Sequence, residues 1–320
     1  EIIALGGTVL FETKLTGLNI KDEKVTGAVV EKQGKTDIIE TDSIILAVGH
    51  SARDTFEMML EKGIPIEAKS FSVGARIEHL REKIDSSQYG KFAGSKNLGA
   101  ASYKLNTHLE NGRGVYTFCM CPGGKVVNAS SEENMIVTNG MSEFARNEVN
   151  SNSALLVGVS PKDFKSNNPL AGMHFQRKLE NKAFMLGGSN YNAPVQRVDD
   201  FINNTKSTHL GEVKPSICPD YELSNLSTIL PEFVSESMKQ GIKDLGRKLK
   251  GFDDGDAILT AVETRSSSPI RILRNNETLE SIKIKGLYPC GEGAGYAGGI
   301  ISAAVDGIKC AEEIINKNNK

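Results

Sequence analysis

Charge of one sign is what this sequence has least of: 38 Lys and Arg against 40 Asp and Glu leave a formal net charge of −2 over 320 residues. So balanced a surface offers no electrostatic grip for nucleic acid or an anionic membrane, and neither is expected as a partner. Long apolar runs are missing too; nothing approaches the roughly 18 residues of a membrane-spanning helix. Cysteine is scarce, five in all and irregularly spaced, which argues against a disulfide framework and fits reduced thiols in a cytoplasmic protein. Internal repeats and low-complexity tracts are absent, and no targeting segment is expected. The chain opens on Glu1 without Met and at full structural density, so a piece excised from a longer protein is expected.

What is present is ordinary globular material, 39% hydrophobic and 24% charged, enough for roughly two domains. Thr8–Thr13, Val25–Lys32 and Thr36–Glu40 read as short strands separated by "TGLNIKDEK" and "KQGK". They lead into "SIILAV" (43–48), whose unbroken apolar run predicts burial on both faces, as in a parallel sheet. Gly49 turns the chain into a helix over Thr55–Lys62. From about residue 67 the pattern is mixed: "SFSVGARIEHL", "GVYTFCM" and "NSALLVGVS" suit strands, 173–186 and 195–204 suit helices, and Pro231–Lys250 is a clear amphipathic helix. From about 256 the α/β pattern returns and ends in a helix whose stripe of Ile301, Ala304, Val305, Ile308, Ala311 and Ile315 is expected to be buried. The fold class is α/β, α+β overall. A discontinuous domain (1–66 and 256–320) would carry an inserted mixed β/α domain (67–255).

"GLYPCGEGAGYAGGIISAAVDGI" (286–308) contains Gly293, Gly295 and Gly298 in G-x-G-x-x-G spacing, between a strand and a helix. The dinucleotide fingerprint needs a second strand about 20 residues on, ending in an acidic residue. Here the sequence runs out first, so the motif is either a structural turn or a different cofactor contact.

Taken together and in order, "ILAVGHSARDTFEMM", "FCMCPGGKVVNASSEE", "NSALLV", "PVQRVDDF", "ETRSSSPIRI" and the glycine segment resemble uncharacterised bacterial FAD-dependent dehydrogenases. These are NAD(P)/FAD-dependent oxidoreductases of the glutathione-reductase-like two-dinucleotide-binding superfamily. The resemblance implies an incomplete Rossmann-like FAD-binding domain lacking its N-terminal ADP-binding βαβ unit, with the insert as substrate domain. It implies FAD as cofactor and a small-molecule substrate, with hydride coming either from NAD(P)H that binds transiently or from the substrate itself. In its light the strand–turn–helix at 286–308 becomes a flavin-side contact. Gly291 and Glu292 would form its acidic turn, with Glu292 accepting from a ribityl hydroxyl. Gly298, Gly299 and Ile300 would offer backbone N–H groups at a helix end, where partial positive charge favours an anion. Gly49 would pass the adenosine side. Arg265 and Ser267, in "ETRSSSPIR", would lie near the isoalloxazine; the alternative is a surface loop with a structural salt bridge.

Three further readings stay open. His50 is expected to be a solvated loop residue rather than a base, and Arg53 and Asp54 to cap a helix or pair. Cys119 and Cys121 are expected to be structural thiols or part of a substrate-facing turn, because side chains two apart on a strand sit about 7 Å from each other. No metal ligand set and no catalytic acid or base is assigned. The expected function is hydride transfer through FAD in the longer protein, this chain being cofactor-poor by itself; the alternative is a flavin-dependent RNA-modification module or a non-catalytic binding module.

Overall fold

In the computed structural model, which describes residues 1–319, the first element is a three-stranded antiparallel meander. Its strands are β1 (Lys14–Lys21), β2 (Lys24–Lys32) and β3 (Lys35–Glu40). Asp22 and Glu23 both take positive φ, 51° and 57°, matching the twist of a two-residue hairpin. β4 (Ile44–Leu46), α1 (Arg53–Glu61) and β5 (Ile66–Ala68) follow. Next come β6 (Phe71–Leu80), α2 (Arg81–Tyr89), β7 (Asn106–His108), β8 (Gly114–Cys121), β9 (Lys125–Asn128), β10 (Thr138–Met141) and β11 (Asn150–Val159). Then α3 (Ala171–Leu186), β12 (Ala193–Arg197), α4 (Val198–Ile202), β13 (Tyr221–Leu223), α5 (Glu232–Gly246) and β14 (Ile258–Glu263). The chain closes with β15 (Ile270–Ile272), β16 (Leu287–Pro289) and α6 (Ile300–Asn318).

Two compact units result. The first holds Glu1–Lys69, Lys165–Met173 and the residues from Ser267 onward; the second holds Ser70–Phe164 and His174–Ser266. In the first unit β4 and β16 pair in parallel, Ile44 opposite Leu287 and Leu46 opposite Pro289, while β5 and β15 pair antiparallel. Leu18, Leu46, Phe56, Met59, Ile64, Ile270 and Leu287 form its core.

Sequence patterning misplaced five features. Thr8–Thr13 form no strand, because β-rich composition does not itself supply a pairing partner, and Phe11 is 74% exposed. Most of the supposed separator "TGLNIKDEK" (16–24) belongs to β1, stabilised by its ladder with β2 despite Gly17 and Asn19. The helix expected from 195 is instead strand through Arg197, since Val195–Arg197 pair with Ile258–Thr260, leaving a single helical turn after it. β4 is covered on one side only, and α6 turns its apolar stripe outward, with Ile301 76% and Ile308 58% exposed. The rotation of α6 follows from what it turns inward. Cys310 packs on Tyr288 and Cys290, and Asp306 reaches Arg274.

The second unit is built on a seven-stranded mixed sheet in the order β13-β12-β14-β6-β11-β8-β7. Alternation along β6 and β11 sends Val73, Ala75, Ile77, Leu155 and Val157 into an apolar core shared with Val234, Met238, Ile242 and Leu245 of α5. The opposite face is buried but polar. Arg76 is 0% exposed and pairs with Glu263 at 2.6 Å. Its guanidinium also donates to the Cys119 carbonyl at 2.8 Å and to Asn139 Oδ1 at 2.6 Å. Asn139 comes from the β9–β10 hairpin, where Gly140 lies so close to the guanidinium that an added Cβ would sit 2.8 Å from Nη1. Cys119 supplies that carbonyl by adopting φ 40°, at an irregularity in the β8–β11 register. The cysteines at 119 and 121 are therefore not equivalent strand positions, as simple alternation would make them.

His79 lies on the same strand, fully enclosed, with Nε2 2.8 Å from the Phe252 carbonyl. Burial pushes its pKa down to about 4, although the Phe252 hydrogen bond opposes the shift. The unfolded chain takes up this proton below the ordinary value of 6.5, whereas the folded chain resists it until about 4. Stability is thus fully present above 6.5 and falls as pH drops from there to about 4, by on the order of 3 kcal/mol. Urea unfolding of His79→Gln measured between these pH values should lose that part of the slope. A variant with the unchanged slope would contradict this account.

Candidate functional site

The two glycine turns of the first unit end adjacent parallel strands. Gly49 follows β4 with φ 76°, and Gly293 lies four residues beyond β16. They meet backbone to backbone: a Cβ on Gly293 would collide with the Gly49 carbonyl oxygen. Only glycine permits this approach. Ser268 Oγ donates to the Gly293 carbonyl at 3.0 Å and holds the loop from its other side. Within the loop, Gly295 N–H donates to the Glu292 carbonyl at 2.9 Å and Tyr296 N–H to the Gly291 carbonyl at 3.0 Å.

An ion pair fixes the base of this turn. Arg274 grips Asp306 of α6 through both terminal nitrogens, at 2.6 and 3.0 Å, and the Gly291 N–H donates to the same carboxylate at 2.8 Å. Burial alone would raise the Asp306 pKa, but the Arg274 and Gly291 hydrogen bonds, with the arginine's charge, hold it below the usual carboxylate range. The Arg274 guanidinium carbon also stands over the Tyr296 ring, 3.7 Å from its centroid. Strand end, loop and helix start are therefore one braced unit.

Two groups at its mouth stay available. Glu292 keeps its side chain 31% exposed, with Oε1 3.2 Å from Nδ1 of His50. The Gly298 and Ile300 N–H groups have no acceptor among the described residues, and a Cβ on Gly298 would meet nothing within 4 Å. Unpaired amides at a helix N-terminus beside a carboxylate acceptor suit a ligand carrying both anionic and hydroxyl groups. That donor set fits the flavin half of FAD.

The structure thus brings together Gly49, Gly291, Glu292, Gly298 and Ile300. It corrects three expectations. The Gly299 N–H is already donated to Ser302 Oγ at 3.1 Å, capping the helix from within, so it is not on offer. Arg265 belongs to the second unit, where its guanidinium is 3.0 Å from the buried Glu180 carboxylate and 2.5 Å from Ser131 Oγ. That is the structural salt bridge, with the cation already neutralised. His50 is not a solvated loop residue: it is 9% exposed and bonded to Glu292. Ser267 is half-buried at the start of the final first-unit segment. A separation of 242 residues hides the His50–Glu292 contact from any local reading of sequence.

Cys290, Asp306 and Cys310 place one ligand atom each within 4.8 Å of one another. As a metal site the cluster is poor. Arg274 occupies the Asp306 carboxylate, and burial, with Cys310 nearby, pushes the Cys290 thiol up to about 12. It packs as the small apolar cluster under the loop.

A family model described as FAD-dependent protein, C-terminal domain-like, matches residues 70–266, more than half the chain. The chain belongs to this family. The match has the same outer bounds as the second unit. An uncharacterized protein of Clostridium beijerinckii is similar, 53% identical over 318 residues. That alignment covers 99% of this chain but 59% of the relative's length. The family is described as FAD-dependent, which points to FAD as its cofactor. No helix among the described residues is long and apolar enough to cross a membrane.

Proposed function

We propose that this chain is part of an FAD-dependent oxidoreductase and that its first unit, a Rossmann-like element, holds the flavin side of the cofactor. The observation that carries the reading is the braced loop at 291–300: a partly exposed carboxylate, two unpaired amides and a helix end, in a chain of an FAD-dependent family. Bound FAD would supply the hydride chemistry. Glu292 would accept from a ribityl hydroxyl, with His50 fixing the rotamer of its carboxylate. The Gly298 and Ile300 amides would donate to an electron-rich oxygen, and Asp306 with Arg274 would hold them in place. The remaining contacts to FAD are assigned to the part of the longer relative that this chain does not span, so the chain by itself should retain little cofactor.

The full-length gene product containing this chain should purify yellow and release FAD on denaturation. Glu292→Ala should weaken FAD binding at least tenfold in a fluorescence titration, about 1.4 kcal/mol, the scale of a hydrogen bond to a charged group. A full-length protein that stays colourless after reconstitution with FAD would overturn the proposal.

A further inference from the structure

One cation in the first unit has no assigned task. Lys69 directly follows β5, and its N–H donates to the Pro269 carbonyl at 2.8 Å, continuing the β5–β15 ladder by one step. Strand alternation divides this ribbon cleanly. Ile66, Ile270 and Ile272 enter the core, while Glu67, Lys69 and Arg271 share the opposite face.

The glycine loop lies against this same ribbon. Gly295 packs on the Ile270 carbonyl and on Cα of Arg271, where an added Cβ would be 3.0 Å away. The Arg271 guanidinium stands 5.4 Å from the Tyr296 ring centroid and 3.9 Å from the Glu67 carboxylate. Lys69 is half-buried, yet its ammonium has no hydrogen bond or ion pair among the described residues. Burial, then the neighbouring Arg271 charge, lowers its pKa, and the Glu292 charge opposes them. Lys69 shares its face of the ribbon with Arg271, the residue against which Gly295 packs, three residues along the loop from Glu292. A cation on that face and a carboxylate on the loop suit a ligand that bonds to both.

We infer that Lys69 is a cofactor-contacting residue, its ammonium facing the pyrimidine edge of the flavin, where negative charge collects on reduction. The inference rests on the flavin reading above and adds a specific role: Lys69 sets the redox poise of the site, whereas Glu292 serves affinity. An unpaired, partly desolvated ammonium suits this task better than Arg271, which is engaged by Glu67 and Tyr296.

The test uses the full-length protein loaded with FAD. In Lys69→Met the reduced cofactor should be held at least tenfold less tightly relative to the oxidised form. For a two-electron couple that lowers the midpoint potential by about 30 mV. Sulfite, which adds to the flavin ring and pushes charge onto the same edge, should bind at least tenfold more weakly. Lys69→Arg should restore most of both, and Lys69→Gln provides a second neutral variant. A yellow wild-type protein whose Lys69→Met and Lys69→Gln variants keep its potential and sulfite affinity would overturn the role of Lys69 and leave the flavin reading standing. A wild-type protein that takes up no FAD would overturn both.

Discussion

Arg76→Met is expected to destabilise the second unit by about 3–5 kcal/mol, more than most single substitutions would. The cause is Glu263, 5% exposed, whose carboxylate would lose the charge 2.6 Å away. Burial already pushes the Glu263 pKa up, and Arg76 is what opposes that shift. The Asn139 side chain and the Cys119 carbonyl would lose their donor in the same step, loosening the β9–β10 hairpin from the sheet. The double variant Arg76→Met/Glu263→Leu should recover much of the loss, since it leaves no unpaired charge behind. Denaturant unfolding followed by circular dichroism reads both quantities. A single variant as stable as the parent would show that the buried pair contributes little net stability here.

The second large effect is expected at Gly293. In Gly293→Ala the new Cβ would lie 2.6 Å from the Gly49 carbonyl carbon and 2.9 Å from its nitrogen. Both partners are backbone, so neither yields by changing a rotamer, and the two turns must separate. A cost of about 1–3 kcal/mol or more follows from such overpacking, with loss of FAD retention in the full-length protein. Gly298→Ala is the informative companion, because its Cβ meets open space. It should fold normally and still weaken FAD binding, by intruding where a ligand approaches the amides. If both variants bound FAD as the parent does, the loop would not be the flavin contact.

How far the sequence was legible depended on whether the deciding partner was near in the chain. β2, β3, β6 and β11 were visible because alternation or unbroken apolar runs announce them. β1 was hidden by Gly17 and Asn19, which look like turn residues until the ladder to β2 is seen. The period of α6 was read correctly, and its burial was not. Periodicity names a face but does not say what covers it, and the Asp306–Arg274 pair decided the rotation. The same limit governed the site. Glu292 and the glycines sit in one short motif, whereas Glu180 beneath Arg265 and His50 beside Glu292 become neighbours only through the fold.

The outward stripe of α6 shares a rigid rod with the amides at its N-terminus, and linkage follows from that. Any surface that settles on Ile301, Val305, Ile308 and Ile315 removes apolar area from water and steadies the helix along its length. It thereby lowers the ordering cost for whatever docks at Gly298 and Ile300. The reciprocal holds by thermodynamic necessity: an occupant of the amide end strengthens the grip on the stripe by the same factor.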